Sequence, residues 1–256
     1  MLFERYLSTL VRPKKHLGQH FLRDLSIAER TAEAVQFRNS ILEIGPGTGV
    51  LTRYLLDRTE DLRAVELDAE SVDYLLGEGL LNQNQIIQAD FLRLNLEPLF
   101  SQEFSLVGNF PYNISSQILF KVLENRPRIP ECVGMFQKEV AERVCSEPGS
   151  KAFGILSVLC QTYYRCSYLF TIEPESFFPP PRVKSAVIRL ERIENLELPC
   201  TEKALFRVVK LAFNQRRKML SNSLKSLGFE LPEDLKDLRP EQLQVSDFWR
   251  LANLAS

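Results

Sequence analysis

The sequence of 256 residues has few histidines and cysteines, the side chains that form zinc clusters. It contains two histidines, His16 and His20, and none of its five cysteines forms a Cys-x-x-Cys pair. A zinc cluster needs closely spaced Cys or His ligands. We therefore predict no metal site and expect the thiols to be reduced residues of the core.

Long apolar runs are also absent. A membrane-spanning helix needs about 20 apolar residues, and no stretch approaches that length. Glu4 and Arg5 interrupt the first ten residues before the apolar run of a signal peptide could form. With 45% hydrophobic residues the chain can still build a sizeable core. We expect a soluble, cytoplasmic protein that does not associate with membranes.

The chain lacks an overall excess of charge, since its net charge is -1 at pH 7. This argues against indiscriminate nucleic-acid binding, but the charge is unevenly distributed. Residues 201–228 carry seven basic residues against one acidic residue, and Lys14 and Lys15 belong to a second basic cluster. Either cluster alone is typical of a solvated face. Because the two clusters lie on either side in the sequence of residues 109–112, a candidate catalytic segment described below, together they favour contacts with nucleic acid.

Apolar strands and helical stretches alternate along most of the chain, which predicts a doubly wound α/β domain. The first four predicted strands are residues 40–44, 62–65, 85–89 and 104–107. In such sheets ligands bind at the carboxyl ends of the strands. We therefore expect the residues that follow these strands to share one crevice.

The later segments predict how the chain is divided. Strands at 132–136, 166–172 and 184–190 should complete a mostly parallel sheet with an antiparallel edge. Polar residues at 191–201 indicate a boundary, and helices are predicted at 204–213, 218–227 and 248–254. We predict a Rossmann-like domain over residues 1–195 and a small all-helical domain over residues 196–256.

A glycine-rich loop after the first strand indicates a nucleoside cofactor. Gly45-Pro46-Gly47-Thr48-Gly49 has the spacing G-x-G-x-G, and Pro46 lacks an amide that a pyrophosphate site would use, so the loop does not fit NAD. Glu66 follows the second strand, 21 residues after Gly45, where its carboxylate can accept from ribose hydroxyls. Asp90 follows the third strand and fits either a contact to an adenine or a helix N-cap.

The fourth strand leads into Asn109-Phe110-Pro111-Tyr112. In isolation this segment is typical of a turn. Its carbonyl groups can also accept from an exocyclic amino group, and Tyr112 offers a ring for stacking on a base. Its position in line with Gly45, Glu66 and Asp90 favours the second interpretation.

Taken together, five segments resemble the rRNA adenine N6,N6-dimethyltransferase family. They are Gly18-Gln19-His20-Phe21-Leu22, Glu43-Ile44-Gly45-Pro46-Gly47-Thr48-Gly49, Asn109-Phe110-Pro111-Tyr112-Asn113-Ile114-Ser115-Ser116, Phe178-Pro179-Pro180-Pro181-Arg182-Val183 and Phe213-Asn214-Gln215-Arg216-Arg217-Lys218. The last segment is similar to the KsgA-type, small-subunit branch rather than to the large-subunit resistance methylases.

The resemblance implies a class I methyltransferase with a seven-stranded sheet, and S-adenosylmethionine as the methyl donor. The implied substrate is a pair of adjacent adenines near the 3′ end of small-subunit (16S) rRNA in an assembling ribosomal subunit, each methylated twice. We expect a monomer. Two departures from the family are His20, where Asn is frequent, and Phe110, where Leu or Ile is usual. Two alternatives stay open: an assembly factor in which methylation is secondary, and a large-subunit rRNA methylase.

The predicted site residues fall into three groups. The predicted cofactor-binding residues are His20, Leu22, Glu43, Gly45, Gly47, Glu66, Asp90 and Asn109. The residues predicted to present the target adenine are Asn109, Pro111, Tyr112 and Phe177. The predicted RNA-binding residues are Lys14, Lys15, Arg182, Lys210, Arg216, Arg217 and Lys218.

Overall fold

The computed structural model describes residues 11–255, so the sequence interpretation of residues 1–10 lies outside the described residues. The chain forms two compact units. The first comprises the chain up to Ala141 together with Ser167–Arg192, and the second comprises Glu142–Cys166 and the chain from Ile193 onward. The proposed domain division after residue 195 stays a prediction. Within residues 11–255 no helix is long and apolar enough to cross a membrane.

A sheet of seven strands forms the centre of the fold. Its strands are β2 (Ile41–Ile44), β3 (Leu62–Glu66), β4 (Ile86–Gln88), β5 (Ser105–Asn109), β6 (Glu131–Gln137), β7 (Tyr164–Ile172) and β9 (Ser185–Arg192). Their order in the sheet is β4-β3-β2-β5-β6-β9-β7. The strands from β4 to β6 pair in parallel, and β9 pairs antiparallel with β6. The prediction of a mostly parallel sheet with an antiparallel edge is confirmed.

Helices alternate with the parallel strands. They are α1 (Leu25–Glu33), α2 (Val50–Leu56), α3 (Ala69–Gly77), α4 (Ser115–Glu124) and α5 (Lys138–Val144). All four residues of β2 are buried, as expected of a central strand that is covered on both faces. Asp24 and Asp68 cap α1 and α3 by accepting from the amides two residues on, at 3.0 and 3.2 Å.

The register of the sheet aligns the strand ends that the sequence singled out. Ile44 pairs with Val65 on one side and with Gly108 on the other, and Glu66 pairs with Gln88. The residues that follow β2, β3 and β4, and Asn109 at the end of β5, therefore meet at one edge. The expectation of a shared crevice is confirmed at the level of the backbone.

A short strand pair absent from the sequence interpretation joins the N-terminal region to the proline-rich segment. In it β1 (Phe21–Leu22) pairs antiparallel with β8 (Phe177–Phe178), so that Phe21 lies opposite Phe178 and Leu22 opposite Phe177. Leu22 and Phe177 both belong to the hydrophobic core of the first unit. This pairing fixes the C-terminal end of residues 14–22, referred to below as the arm, against the rest of the first unit.

The second unit is helical, with α6 (Ile155–Tyr163), α7 (Glu202–Asn214), α8 (Leu220–Ser223) and α9 (Val245–Leu254). The ring of Phe213 lies 6.3 Å from that of Phe153 and 5.7 Å from that of Phe248. The prediction of one helix over residues 218–227 is wrong, because α8 ends at Ser223 and a separate 3-10 turn follows. The Leu220 amide donates outside the helix, to Leu238 O at 2.9 Å.

Candidate active site

A cavity of about 260 Å³ lies at the carboxyl edge of the sheet. Its walls come from the ends of β2, β3, β4 and β5 and from residues 16–21 of the arm. The predicted site residues that line it are His20, Gly45, Gly47, Glu66, Asp90, Asn109, Pro111 and Tyr112. Of the residues predicted to bind the cofactor or present the adenine, Leu22, Glu43 and Phe177 lie outside its lining.

The glycine loop supplies the floor of the cavity. Gly45 and Gly47 have φ angles of 65° and 56°, which favour glycine. A β-carbon at Gly47 would lie 2.9 Å from the ring of Phe21, so the arm rests on this residue. A β-carbon at Gly45 would meet only Asn109 O, at 4.0 Å. The backbone at Gly45 is therefore open to a ligand.

Glu66 is held by the backbone on both sides of its carboxylate. Its Oε1 accepts from the Asp68 amide at 2.9 Å, and its Oε2 accepts from the Gly47 amide at 3.1 Å. Burial raises the pKa of Glu66, although these hydrogen bonds oppose the shift. Each oxygen keeps a lone pair that can accept from a ligand hydroxyl.

Glu43 and Leu22 line a small neighbouring cavity of about 20 Å³ beneath the glycine loop. Glu43 is 1% exposed, and its Oε2 has no hydrogen-bond partner among the described residues. Burial raises the pKa of Glu43 to about 8; Thr52 opposes the shift and the charge of Glu66 adds to it. At neutral pH a buried carboxyl with this pKa is largely protonated, and its unpartnered oxygen can form a hydrogen bond with a hydroxyl or amino group of a ligand.

Asp90 caps a 3-10 turn and also lines the cavity. Its Oδ1 accepts from the Leu92 amide at 2.9 Å, and its Oδ2 lies 3.5 Å from Arg93 Nε. The N-cap alternative therefore describes its local role. The cap leaves open a contact to an adenine, because the side chain still borders the cavity beside Phe91.

The amide of Asn109 is oriented by the arm. Its Nδ2 donates to the backbone oxygen of His20 at 2.7 Å, so the side-chain oxygen Oδ1 is the remaining acceptor. The carbonyl of Pro111 accepts from the Ile114 amide at 3.2 Å and retains a second lone pair. Two carbonyl oxygens from one motif thus border the cavity.

Tyr112 is fixed at both its ring and its hydroxyl. The His20 ring stacks on it with centroids 5.4 Å apart and an interplanar angle of 24°, and its hydroxyl bonds to Ser185 Oγ. The predicted second ring, Phe177, is 1% exposed and packs in the core. The ring that faces Tyr112 in this structure belongs to His20, whose Nδ1 lies 2.7 Å from Pro179 O.

The sequence matches the model of the ribosomal RNA adenine dimethylase family over residues 11–242. The chain belongs to this family. It is 53% identical to ribosomal RNA small subunit methyltransferase A of Flavobacterium johnsoniae, over 93% of this chain and 94% of that protein. The protein of the same name from Parabacteroides distasonis is 54% identical, over 94% of this chain and 93% of that protein.

Two solved structures resemble the fold of this family member. A dimethyladenosine transferase from Plasmodium falciparum superposes with a TM-score of 0.75 at 25% identity, covering 91% of this chain and 96% of that one. The 23S rRNA methyltransferase ErmE has a TM-score of 0.68 at 27% identity, covering 91% and 99%. The sheet is therefore that of a class I methyltransferase.

The ring of Phe110, where the sequence predicts a departure from the family, is accommodated by two glycines. Gly108 and Gly134 are direct cross-strand partners in β5 and β6. β-carbons at these positions would lie 2.9 Å and 2.1 Å from ring atoms of Phe110. The ring also packs edge-on against Phe136 with centroids 4.9 Å apart. The ring of Phe110 thus fits because the neighbouring positions in β5 and β6 are both glycines.

The predicted RNA-binding residues of this dimethylase differ in their surroundings. Lys15, Arg182, Lys210, Arg217 and Lys218 are exposed. Lys14 lies 2.5 Å from an oxygen of Asp68, and Arg216 Nη2 donates to Lys151 O at 2.6 Å. Lys14 and Arg216 therefore have intramolecular partners, whereas the exposed residues are available to an RNA backbone.

The sequence interpretation missed several residues at the site. Gln19 and Asn113 line the cavity, Ser185 bonds to Tyr112, and Asp68 anchors Lys14. Gln19 and Asn113 lie inside recognised segments, so their position was a usable signal. Ser185 and Asp68 act through contacts across 73 and 54 residues of sequence, which local patterns do not indicate. Within residues 11–255, no group of three His, Cys, Asp or Glu side chains is placed to hold a metal ion.

Proposed function

We propose that this chain transfers methyl groups from S-adenosylmethionine to N6 of two adjacent adenines near the 3′ end of small-subunit rRNA, in an assembling ribosomal subunit in the cytoplasm. The observation that carries the proposal is the orientation of Asn109. With Nδ2 donating to the arm at 2.7 Å, Oδ1 is left to accept from an adenine amino group. The names of the relatives that are 53–54% identical support the small-subunit substrate.

The cavity fits S-adenosylmethionine by the chemistry of its donors and acceptors. The open backbone at Gly45 would lie against the amino acid part, and the lone pairs of Glu66 would accept from the ribose hydroxyls. Asp90 would accept from the amino group of the cofactor adenine. The unpartnered oxygen of Glu43 adds an acceptor beneath the loop. When bound, the cofactor supplies an electrophilic methyl group.

The chain's own contribution is to orient the target adenine and exclude water. Asn109 Oδ1 and the Pro111 carbonyl would accept from the two N6 hydrogens, which directs the nitrogen lone pair toward the methyl group. Tyr112 would stack on the base, with its plane fixed by His20 and Ser185. We assign Phe177 no role in presenting the adenine, because its side chain is buried in the core.

The exposed basic residues would hold the RNA. Lys15 and Arg182 in the first unit, and Lys210, Arg217 and Lys218 in the second, offer positive charge to phosphates. Such contacts position a substrate without reading its sequence. We propose that they select the site together with the shape of the rRNA.

Asn109→Ala tests the proposal. We expect the variant to fold, to bind S-adenosylmethionine, and to lose at least about 100-fold in methyl transfer to 30S subunits, the order seen when one oriented polar group is removed from an active site. Asn253→Ala, at an exposed position of α9, is the matched control and should keep full activity. Near-normal turnover of Asn109→Ala would overturn the assignment.

Mass mapping of the methylated adenines would decide between the substrates. Methylation confined to two adjacent small-subunit adenines supports the proposal, whereas methylated large-subunit rRNA would overturn it. If Asn109→Ala keeps RNA affinity and also restores subunit assembly in cells that lack the gene, the chain's main role lies in assembly rather than in methylation.

A further inference from the structure

The loop after β3 contains a buried acid that the proposed function does not use. The side chain of Asp68 is fully buried and receives four donors. Its Oδ1 lies 2.5 Å from Lys14 Nζ and accepts from the Glu70 amide at 3.2 Å. Its Oδ2 accepts from Gln19 Nε2 at 3.2 Å and from the neighbouring Ser71 hydroxyl at 3.5 Å. Two of these four donors are side chains of the arm.

Helix capping alone does not explain these contacts. Asp24 caps α1 with the same kind of bond, to the Ser26 amide at 3.0 Å. Asp24 is only partly buried, and its carboxylate is also bonded by the neighbouring Ser26 hydroxyl. Asp68 instead reaches residues 49 and 54 positions away in the sequence. The bonds of Asp68 to Lys14 and Gln19 therefore have no counterpart at Asp24 and go beyond helix capping.

The two arm residues that Asp68 binds lie at the two ends of one tight turn. The Lys14 amide donates to Gln19 Oε1 at 2.8 Å, and a 3-10 turn at Lys15–Leu17 connects them. Gly18 closes the turn with a φ of 67°, and a β-carbon there would lie 2.6 Å from Asn113 Oδ1. The turn is thus held between Asp68 on one side and the Asn109 motif on the other.

The same residue also bonds to the proposed ribose acceptor. The Asp68 amide donates to Glu66 Oε1 at 2.9 Å, while the Asp68 carboxylate holds the arm. Residues 16–21, which follow Lys14, line the cavity. Displacement of the arm from Asp68 would therefore open the cavity at the wall next to Glu66.

We propose that Asp68 is a positioning residue that fastens the arm over the cofactor cavity, with Lys14 as its counter-ion and Gln19 as its second ligand. Only the identity of the bound cofactor rests on the proposed function. Lys14, predicted from sequence to bind RNA, serves instead as part of this anchor.

The electrostatics agree with this geometry. Hydrogen bonds to Asp68 and then to Glu70 raise the pKa of Lys14. Burial by itself would raise the pKa of Asp68, but Lys14 and Gln19 bring it below its ordinary value. Both groups are therefore charged at neutral pH, and the ion pair persists there.

Hydrogen exchange without any ligand tests the anchor directly. The Leu17 and Gly18 amides donate to Lys14 O and Lys15 O at 3.0 Å and report on the turn. In Asp68→Asn, which retains a capping oxygen, and in Lys14→Gln, we expect these amides to exchange at least about 10-fold faster. The matched controls, Asp24→Asn and Arg12→Gln, remove one charge from another cap and from an exposed position before the arm, and should leave the exchange within about 2-fold of wild type.

Binding of S-adenosylmethionine, measured by titration calorimetry without RNA, gives the functional readout. We expect the dissociation constant to rise about 10-fold in Asp68→Asn and Lys14→Gln, the effect of losing one charge-assisted hydrogen bond. Lys14→Arg should restore most of the affinity, whereas a role limited to folding would lower the unfolding temperature without such rescue. If Asp68→Asn folds poorly, Lys14→Gln still tests the same ion pair.

The outcomes separate the anchor from the proposed function. Faster exchange in both variants, with wild type failing to bind S-adenosylmethionine, would support the anchor and overturn the proposed cofactor. Unchanged exchange with normal cofactor binding would overturn the anchor and leave the function intact. If Lys14→Gln weakens only RNA binding, Lys14 is an RNA contact and the anchor is wrong.

Discussion

The side-chain amide of Asn109 donates from Nδ2 to the backbone oxygen of His20 at 2.7 Å. The residue proposed to present the adenine is therefore oriented by the arm, and the arm is in turn fastened at Asp68. One consequence is that arm closure and orientation of the catalytic amide are one event. Opening of the arm would free Asn109 to rotate as well as exposing the cavity.

Asn109→Asp separates the two functions of this side chain. An aspartate keeps an oxygen that can accept from N6 but has no donor for His20 O, and its charge would repel that carbonyl. We expect methyl transfer to fall about 100-fold, close to the loss in Asn109→Ala, with weaker cofactor binding in addition. Steady-state kinetics and calorimetry measure the two effects. Turnover near that of wild type would show that the bond to His20 is dispensable.

Because Phe110 packs against two glycines, substitutions at Phe110 and Gly134 should not have additive effects on the free energy of unfolding. In Gly134→Ala the new β-carbon would lie 2.1 Å from a Phe110 ring atom, and we expect a loss of about 2 kcal/mol in the free energy of unfolding. Phe110→Leu should relieve this clash, so the double variant should be about as stable as Phe110→Leu alone. Urea unfolding of the four proteins measures the coupling. Additive losses would contradict the proposed fit.

Gly77→Ala is a matched control for the glycine substitution. Gly77 is the last residue of α3, and a β-carbon there would meet no atom within 4 Å. Because alanine favours a helix over glycine, this variant should be as stable as wild type or gain up to about 1 kcal/mol.

Much of the first unit could be predicted from sequence because its strands are short, apolar and buried. Segments such as Ile41–Ile44 carry a pattern that tertiary contacts do not override, and the topology of parallel strands then brings Gly45, Glu66 and Asn109 to one edge. These placements depend on local sequence and on a general rule for α/β sheets.

The parts that could not be predicted depend on contacts between distant residues. In Phe177-Phe178, one ring is 1% exposed and the other 42%, and the choice is made by pairing with β1, about 150 residues earlier. The helix predicted over residues 218–227 begins only at Leu220, and its first two amides, those of Leu220 and Ser221, donate to Leu238 O and Lys236 O. Neither contact can be predicted from the pattern of residues next to it in the sequence.

Glu131 stabilises the edge of the sheet opposite the active site. Its carboxylate accepts from the amides of Gln36 and Phe37 at 3.0 Å and from Ser105 Oγ at 3.1 Å. Glu131→Ala would remove the carboxylate that accepts from the Gln36 and Phe37 amides, and we expect a loss of about 2 kcal/mol in the free energy of unfolding. Cofactor affinity of the folded variant should be unchanged. A loss below about 1 kcal/mol would mean that water replaces the carboxylate.

The raised pKa of Glu43 predicts how stability depends on pH. Burial, opposed by Thr52 and assisted by the charge of Glu66, raises the pKa of Glu43 from 4.5 to about 8. Between these two values the folded chain holds a proton that the unfolded chain has released. The free energy of unfolding should therefore fall as pH rises through this window, by at most about 1.4 kcal/mol per pH unit, and level off above it. Below pH 4.5 both states are protonated and the effect disappears.

Glu43→Gln should remove this dependence, because glutamine resembles the protonated acid at every pH. Without cofactor, we expect the variant to become progressively more stable relative to wild type from about pH 5 to 8, as measured by urea unfolding at a series of pH values. For the control Glu29→Gln, at an exposed position of α1, the free energy of unfolding should depend on pH in the same way as for wild type. If the Glu43→Gln curve is parallel to that of wild type as well, Glu43 is ionised in the folded chain and has a partner that stabilises its charge. In that case the acceptor proposed beneath the glycine loop would already be satisfied, and its contribution to cofactor binding would be lost.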